Sequence, residues 1–105
     1  MNSFTFKIRV AIASNNYIIS QHARLRMGQR HVNRDDILRT ILHGAIIEQN
    51  LDAHPHPKCL FMYQVLFGEP LYVACGYNAR NEQAIILTVH WFDPNKWIDW
   101  YTRRR

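Results

Sequence analysis

The feature that most constrains this chain of 105 residues is a change of hydrophobic spacing at Gly44. Before that glycine, apolar residues recur at helical intervals. After it they fall in short extended runs rich in β-branched and aromatic side chains. Helices first and strands afterwards predict an α+β domain, because a wound α/β fold alternates the two kinds of element.

Residues 4–14 place Phe4, Ile8, Ala11 and Ile12 on one helical face, and Asn15-Asn16 stops that helix because asparagine tolerates the left-handed conformation. Residues 17–19 read as a brief extended link. Ser20 is the expected N-cap of a second helix ending at Gln29 or Arg30. Asn33 caps a third, with Asp35 and Asp36 in its first turn, a buried stripe of Ile37, Leu38, Ile41 and Leu42, and Gly44 in the C′ position. Residues 45–50, 59–67, 71–77 and 84–91 are the expected strands, an antiparallel meander of about four. Prolines keep the DAHPHPK loop at 52–58 out of the sheet, and Gly68-Glu69-Pro70 and residues 78–82 join the later strands at hairpin lengths. Asp93-Pro94 opens a short terminal helix carrying Trp97, Trp100 and Tyr101, before Arg103-Arg104-Arg105. The length suits one domain over residues 1–105.

No run approaches the roughly 18 apolar residues of a membrane span. Lys7 and Arg9 interrupt the first apolar stretch and no small-residue cleavage site follows, so a cytoplasmic protein is expected. Cys59 and Cys75 are the only cysteines. A hairpin turning at Gly68-Glu69-Pro70 would set Cys75 opposite Met62 or Tyr63, out of bonding reach of Cys59, which predicts two unbridged thiols. His54 and His56 stand two residues apart between prolines with no carboxylate or thiol cluster beside them, so no metal or other cofactor is expected. Walker loops, dinucleotide fingerprints and serine elbows are absent from the sequence.

The 13 Lys and Arg against 8 Asp and Glu give a net charge of +5, almost all of it from arginine. Guanidinium forks match phosphate oxygens and stack on bases, which points to nucleic acid or another polyanion. In SQHARLRMGQR, residues 20–30, His22, Arg26 and Arg30 repeat at i, i+4 and i+8 on one helical face, with Arg24 beside them. Like charges at that spacing repel, so the row suits an anion lying across it; arginines paired with Asp35, Asp36 or Glu48 are the structural alternative. In the last strand, alternation puts Ile85, Leu87, Val89 and Trp91 on one face, expected as core beneath the helices, and Ile86, Thr88 and His90 on the other. His90 has the chemistry to move the proton of an RNA 2′-hydroxyl, and it fits a hydrogen-bonded structural residue equally. Tyr72 and Tyr77 offer stacking or hydrogen bonds, and Arg103 and Arg104 phosphate contacts.

The run SQHARLRMGQRHVNRDDILRTILHG, then AIIEQ, then ILTVHWFDPNKW resembles a family of small bacterial proteins carrying a domain of unknown function. That family is similar to the RelE/ParE and MqsR-like toxins, and some members are encoded beside zinc-finger antitoxins. The resemblance implies a RelE-like sheet flanked by helices and a metal-independent endoribonuclease acting on messenger RNA, restrained by an antitoxin of zinc-finger type. His22, Arg26 and Arg30 occupy the positions of its HAxxRMxxR motif, and Thr88 and His90 those of its strand end. A non-catalytic module binding nucleic acid or an acidic protein through the same basic face is the competing expectation.

Overall fold

The helix ends fall where their capping side chains place them. The structure, a computed structural model, describes residues 3–65 and 68–104. Helix α1 (Ser3–Ala13) gives way to Asn15, whose φ of 61° is the expected left-handed stop. Helix α2 (Gln21–Arg30) starts on Ser20, whose hydroxyl accepts from the Ala23 amide. Helix α3 (Arg34–His43) starts on Asn33, whose side chain accepts from the Asp36 amide.

Gly44 ends α3, but in extended backbone at φ −78° and not in the left-handed region. Space requires the glycine. A Cβ here would stand 2.4 Å from the Thr40 carbonyl oxygen and 2.6 Å from that of Met62. Arg9 closes the same corner, donating from Nε to the Ile41 carbonyl at 2.9 Å and from Nη2 to the Gly44 carbonyl at 2.7 Å. Those carbonyls belong to the negative end of α3, where a cation is favoured.

The strands are β1 (Tyr17–Ile19), β2 (Ala45–Asn50), β3 (Lys58–Tyr63), β4 (Leu71–Asn78) and β5 (Gln83–Trp91), in the spatial order β1-β5-β4-β3-β2. The expected antiparallel meander is β2 to β5. The expected link at residues 17–19 is instead a fifth strand, parallel to β5, and the sheet is mixed. Three residues carry too little alternation to announce a strand; the free edge of β5 makes them one.

The connection between β3 and β4 also differs from expectation. The last rung is Tyr63 with Leu71, so β3 stops at Tyr63, and residues 66–67 of the expected strand lie outside the described residues. The longer loop shifts the register and sets Cys59 directly opposite Cys75, correcting the expected offset. Both thiols are free and buried, and burial pushes Cys59 up to about 12 and raises Cys75 as well. Neither is a thiolate nucleophile at neutral pH.

All three helices pack on one face of the sheet. Ile8, Ala23, Ile37 and Ile41 meet Phe61, Val73, Ile86 and Val89 there. Two bulges decide which strand residues join them. In β5, Ala74 pairs with Thr88 and Cys75 with Ile86, so Leu87 is an extra residue. The inserted residue reverses the expected alternation upstream: Ala84 and Ile86 face the helices where Ile85 and Leu87 were expected. Downstream, Val89 and Trp91 are helix-side and Thr88 and His90 face away, as expected. A second bulge between Ile46 and Glu48 sets Glu48 opposite Leu60 on the far face, where Ile47 also packs.

Helix α2 is fastened to β5 at both ends. The Ser20 hydroxyl donates to the carbonyl of bulged Leu87 at 3.1 Å, Arg30 donates to the Val89 carbonyl, and the Trp91 indole donates to the Arg30 carbonyl at 2.8 Å. Beyond β5, residues 93–102 form turns and not the expected helix. The Asp93 and Asp99 carboxylates accept from the backbone amides of Asn95, Tyr101 and Thr102, which holds the chain in Asx turns that compete with helix. The segment doubles back so that Trp97 bridges Arg103.

Gly44→Ala forces a Cβ into two carbonyl oxygens, so a loss of about 1–3 kcal/mol or more is expected in urea unfolding. Ser20→Ala removes the α2 cap and the partner of the bulge carbonyl together; an expected loss of about 1–2 kcal/mol is checked in the same titration.

Candidate functional site

The sheet face away from the helices carries a stack of rings. His90 and Tyr72 are cross-strand partners, and their rings lie parallel within 1° at 4.9 Å. Tyr72 also stacks on Trp97 at 4.7 Å, and the Arg103 guanidinium lies over the Trp97 ring at 4.6 Å. Arg103 then forks onto Glu48, with its Nε and Nη2 donating to the two carboxylate oxygens at 2.9 and 2.8 Å. The Tyr72 hydroxyl donates to the Trp100 carbonyl at 2.6 Å. Burial pushes that phenol up to about 12, so it stays protonated and serves as a fixed donor.

Two cavities flank the stack. The larger, about 530 Å³, is a trough over the small residue Ala74, with Leu60, Leu87 and Thr88 around the floor and Lys58 and Arg103 on its rim. That volume lies in the range of about 300–1,000 Å³ found for ligand sites. The smaller, about 260 Å³, is a notch between Arg30, Lys96 and Asp93. His90 lines both.

Burial, reinforced by Arg30, Lys96 and Arg103 and opposed by Asp93, lowers His90 from 6.5 to about 4. It is therefore neutral at pH 7. Among the described residues its Nε2 is buried without a partner, as is the Trp97 indole Nε1. A neutral imidazole beside fixed cations is a proton acceptor in a field that favours anions.

The structure brings together some of the expected site residues and disperses others. His90, Thr88 and Arg103 share the trough, and Arg30 shares the notch with His90. Tyr72 is buried within the stack. Tyr77 lies on the helix side, edge-on to Phe4, on the opposite face from His90. The α2 row does not act as one unit: His22 is exposed, Arg26 donates to Gln29, Arg24 to the Ile19 carbonyl and Arg30 to the Val89 carbonyl. The ion pairs among the described residues are Arg39 with Asp36 and Arg103 with Glu48, so the alternative pairing of Arg26 or Arg30 with those acids is not formed. Arg104 donates to the Pro94 carbonyl and anchors the terminal turns. His54 and His56 belong to no group of three or more metal-binding side chains among the described residues.

Sequence reasoning missed Lys96, Lys58 and Ala74, and named Glu48 only as a partner for the α2 arginines. Lys96 stands six residues after His90 in FDPNKW, and only the Asx turn at Asp93 folds it back to the notch. Glu48 carried a signal, as the acid that ends an apolar run.

Residues 19–91 match the family described as Domain of unknown function (DUF4258). The chain belongs to that family. The matched span holds Arg30, Glu48, Tyr72 and His90, while Lys96, Trp97 and Arg103 come from the segment after it. No curated protein and no solved structure matches the chain. Among the described residues, no helix is long and apolar enough to cross a membrane.

The lowered His90 links folding to pH. Between pH 6.5 and about 4 the unfolded chain binds a proton at His90 that the fold refuses, so stability falls as pH drops through that window. The wild-type melting temperature is expected to fall more steeply there than that of His90→Asn, and to run parallel to it above pH 6.5. Calorimetry at stepped pH gives the comparison.

Proposed function

We propose that this DUF4258 domain is a cytoplasmic RNA-cleaving toxin, a metal-independent endoribonuclease held in check by an antitoxin protein, as its likeness to the RelE/ParE and MqsR-like toxins implies. The observation that carries this reading is His90, neutral at pH 7 and shared by a nucleotide-sized trough and a notch bearing Arg30 and Lys96.

RNA supplies its own nucleophile. With the scissile phosphate in the notch, His90 accepts the 2′-hydroxyl proton as the 2′-oxygen bonds to phosphorus. The bond to the 5′-oxygen breaks, and that oxygen takes a proton from solvent. The products are a 2′,3′-cyclic phosphate and a 5′-hydroxyl. Arg30 is held by the Val89 carbonyl before substrate arrives, so its charge needs no reorganisation to stabilise the phosphorane. Thr88, two residues before His90 on β5 and opposite Ala74, lines the trough where the ribose would lie.

One observation favours a second reading. The buried Nε2 of His90 and its tight stack on Tyr72 also suit a rigid, non-catalytic RNA-binding face. That module would bind RNA in a salt-sensitive way and release no products.

Purified protein incubated with RNA in excess chelator is expected to yield fragments ending in cyclic phosphate. His90→Ala is expected to lower the rate by about 10²–10⁴-fold, the usual contribution of a positioned proton acceptor. The acid limb of kcat/KM is expected to bend near 4 and not at 6.5, since it reports His90 in the free protein. Intact RNA, together with unimpaired growth on expression, would overturn the toxin reading.

A further inference from the structure

Glu48 is an acid in a cleft otherwise rimmed by cations, and it is engaged with one of them. Its carboxylate meets Arg103 through two parallel hydrogen bonds of 2.9 and 2.8 Å. A carboxylate and a phosphate present the same pair of oxygens to a guanidinium fork, so this pair has the geometry of a phosphate contact already made in the absence of ligand. Both partners remain solvent-accessible, with side-chain exposures of 48% for Arg103 and 39% for Glu48, so exchange carries little desolvation cost. Arg103 also stays seated on Trp97 whichever anion it holds.

The trough beside this pair has room for what such a phosphate would carry. Ala74 sits between Leu60 on β3 and Thr88 on β5, and its small side chain leaves the floor open. Leu87, displaced to this face by the bulge, adds an apolar wall, and Lys58 stands on the rim. The floor suits the flat face of an unpaired base, whereas a duplex presents its bases stacked and paired inside.

We infer that the trough binds one unpaired nucleotide of single-stranded RNA adjacent to the His90 notch, with its phosphate displacing Glu48 from Arg103. This rests on the proposed action on RNA. Glu48 holds the arginine fork in its binding geometry until the phosphate replaces it, and Ala74 sets the size of ring that fits.

The probe is a short 2′-O-methyl RNA, which lacks the attacking hydroxyl, labelled for anisotropy and titrated across a salt series. Glu48→Gln is expected to tighten binding by about two- to fivefold, the range set by one exposed ion pair. It is also expected to steepen the salt slope, because the carboxylate freed by exchange in the wild type takes up a counter-cation and glutamine takes up none. Adding Arg103→Ala to Glu48→Gln is expected to abolish both gains. Ala74→Leu is expected to weaken binding by about tenfold or more by filling the floor. Its melting curve shows whether it folds, and Ala74→Val serves if it does not. The duplex of the same sequence is expected to bind more weakly than the single strand.

A Glu48→Gln gain that survives loss of Arg103 would show a general charge effect and overturn the exchange. Wild-type affinity in a folded Ala74 variant would overturn the nucleotide slot. Cleavable RNA is run in parallel: if it stays intact while the variants behave as expected, the nuclease reading fails and this inference stands.

Discussion

The hydrogen bond from the Ser20 hydroxyl to the Leu87 carbonyl joins the two choices on which the rest of the structure depends. One is where α2 begins; the other is where β5 changes phase. A bulge frees a backbone carbonyl from the ladder, and a buried or half-buried carbonyl needs a donor. Ser20 supplies it while accepting from the Ala23 amide, so the same hydroxyl starts the helix and stabilises the bulge. From that point β5 sends Val89 and Trp91 to the core and Thr88 and His90 to the open face. The far end of α2 is then fixed by Arg30 on the Val89 carbonyl and the Trp91 indole on the Arg30 carbonyl. The distance along α2 from Ser20 to Arg30 is therefore matched to the stretch of β5 that ends beside His90.

Local chemistry was legible in the sequence and long-range pairing was not. Ser20 and Asn33 act on backbone groups within a few residues and Asn15 takes up the left-handed conformation, so each caps or stops the helix that its position announced. Gly44 was legible as a helix end, but the reason is the approach of the Met62 carbonyl from another strand, which no local pattern carries. The same holds for β1, whose strand character comes from the edge of β5, and for Cys59 and Cys75, whose pairing follows from how many residues the loop after Tyr63 takes. The terminal turns misled in the opposite way. Trp97 and Trp100 have helical spacing, yet the Asp93 and Asp99 side chains satisfy the backbone amides that a helix would have used.

The site divides along the same line. Thr88 and His90 were readable because alternation holds downstream of the bulge; Ile85 and Ile86 exchanged faces because it does not hold across it. The His22-Arg26-Arg30 row was a correct statement about helix geometry that could not foresee competition from nearby acceptors. Carbonyls of Ile19 and Val89 and the Gln29 amide take the guanidiniums of Arg24, Arg30 and Arg26 in turn. Only Arg30 is delivered to a cavity with His90, because β5 supplies both its acceptor and its neighbour.

The positive charge of the chain thus matters less as a sum than through what holds each cation. Arg9 neutralises the end of α3, and Arg34 sits on the Tyr17 ring and donates to its hydroxyl, so both are committed to the fold. Arg30 is committed through a carbonyl, which fixes its position but leaves its charge uncompensated. Arg103 is committed through Glu48, which compensates the charge and fixes the fork together. A carbonyl partner suits a cation that must be ready before an anion arrives; a carboxylate partner suits one that an anion must compete for. Placing one of each on either side of a neutral histidine gives the open face a fixed charge at the notch and an exchangeable one at the trough. In the proposed reading an extended phosphate backbone, which carries a charge on every nucleotide, engages both at once.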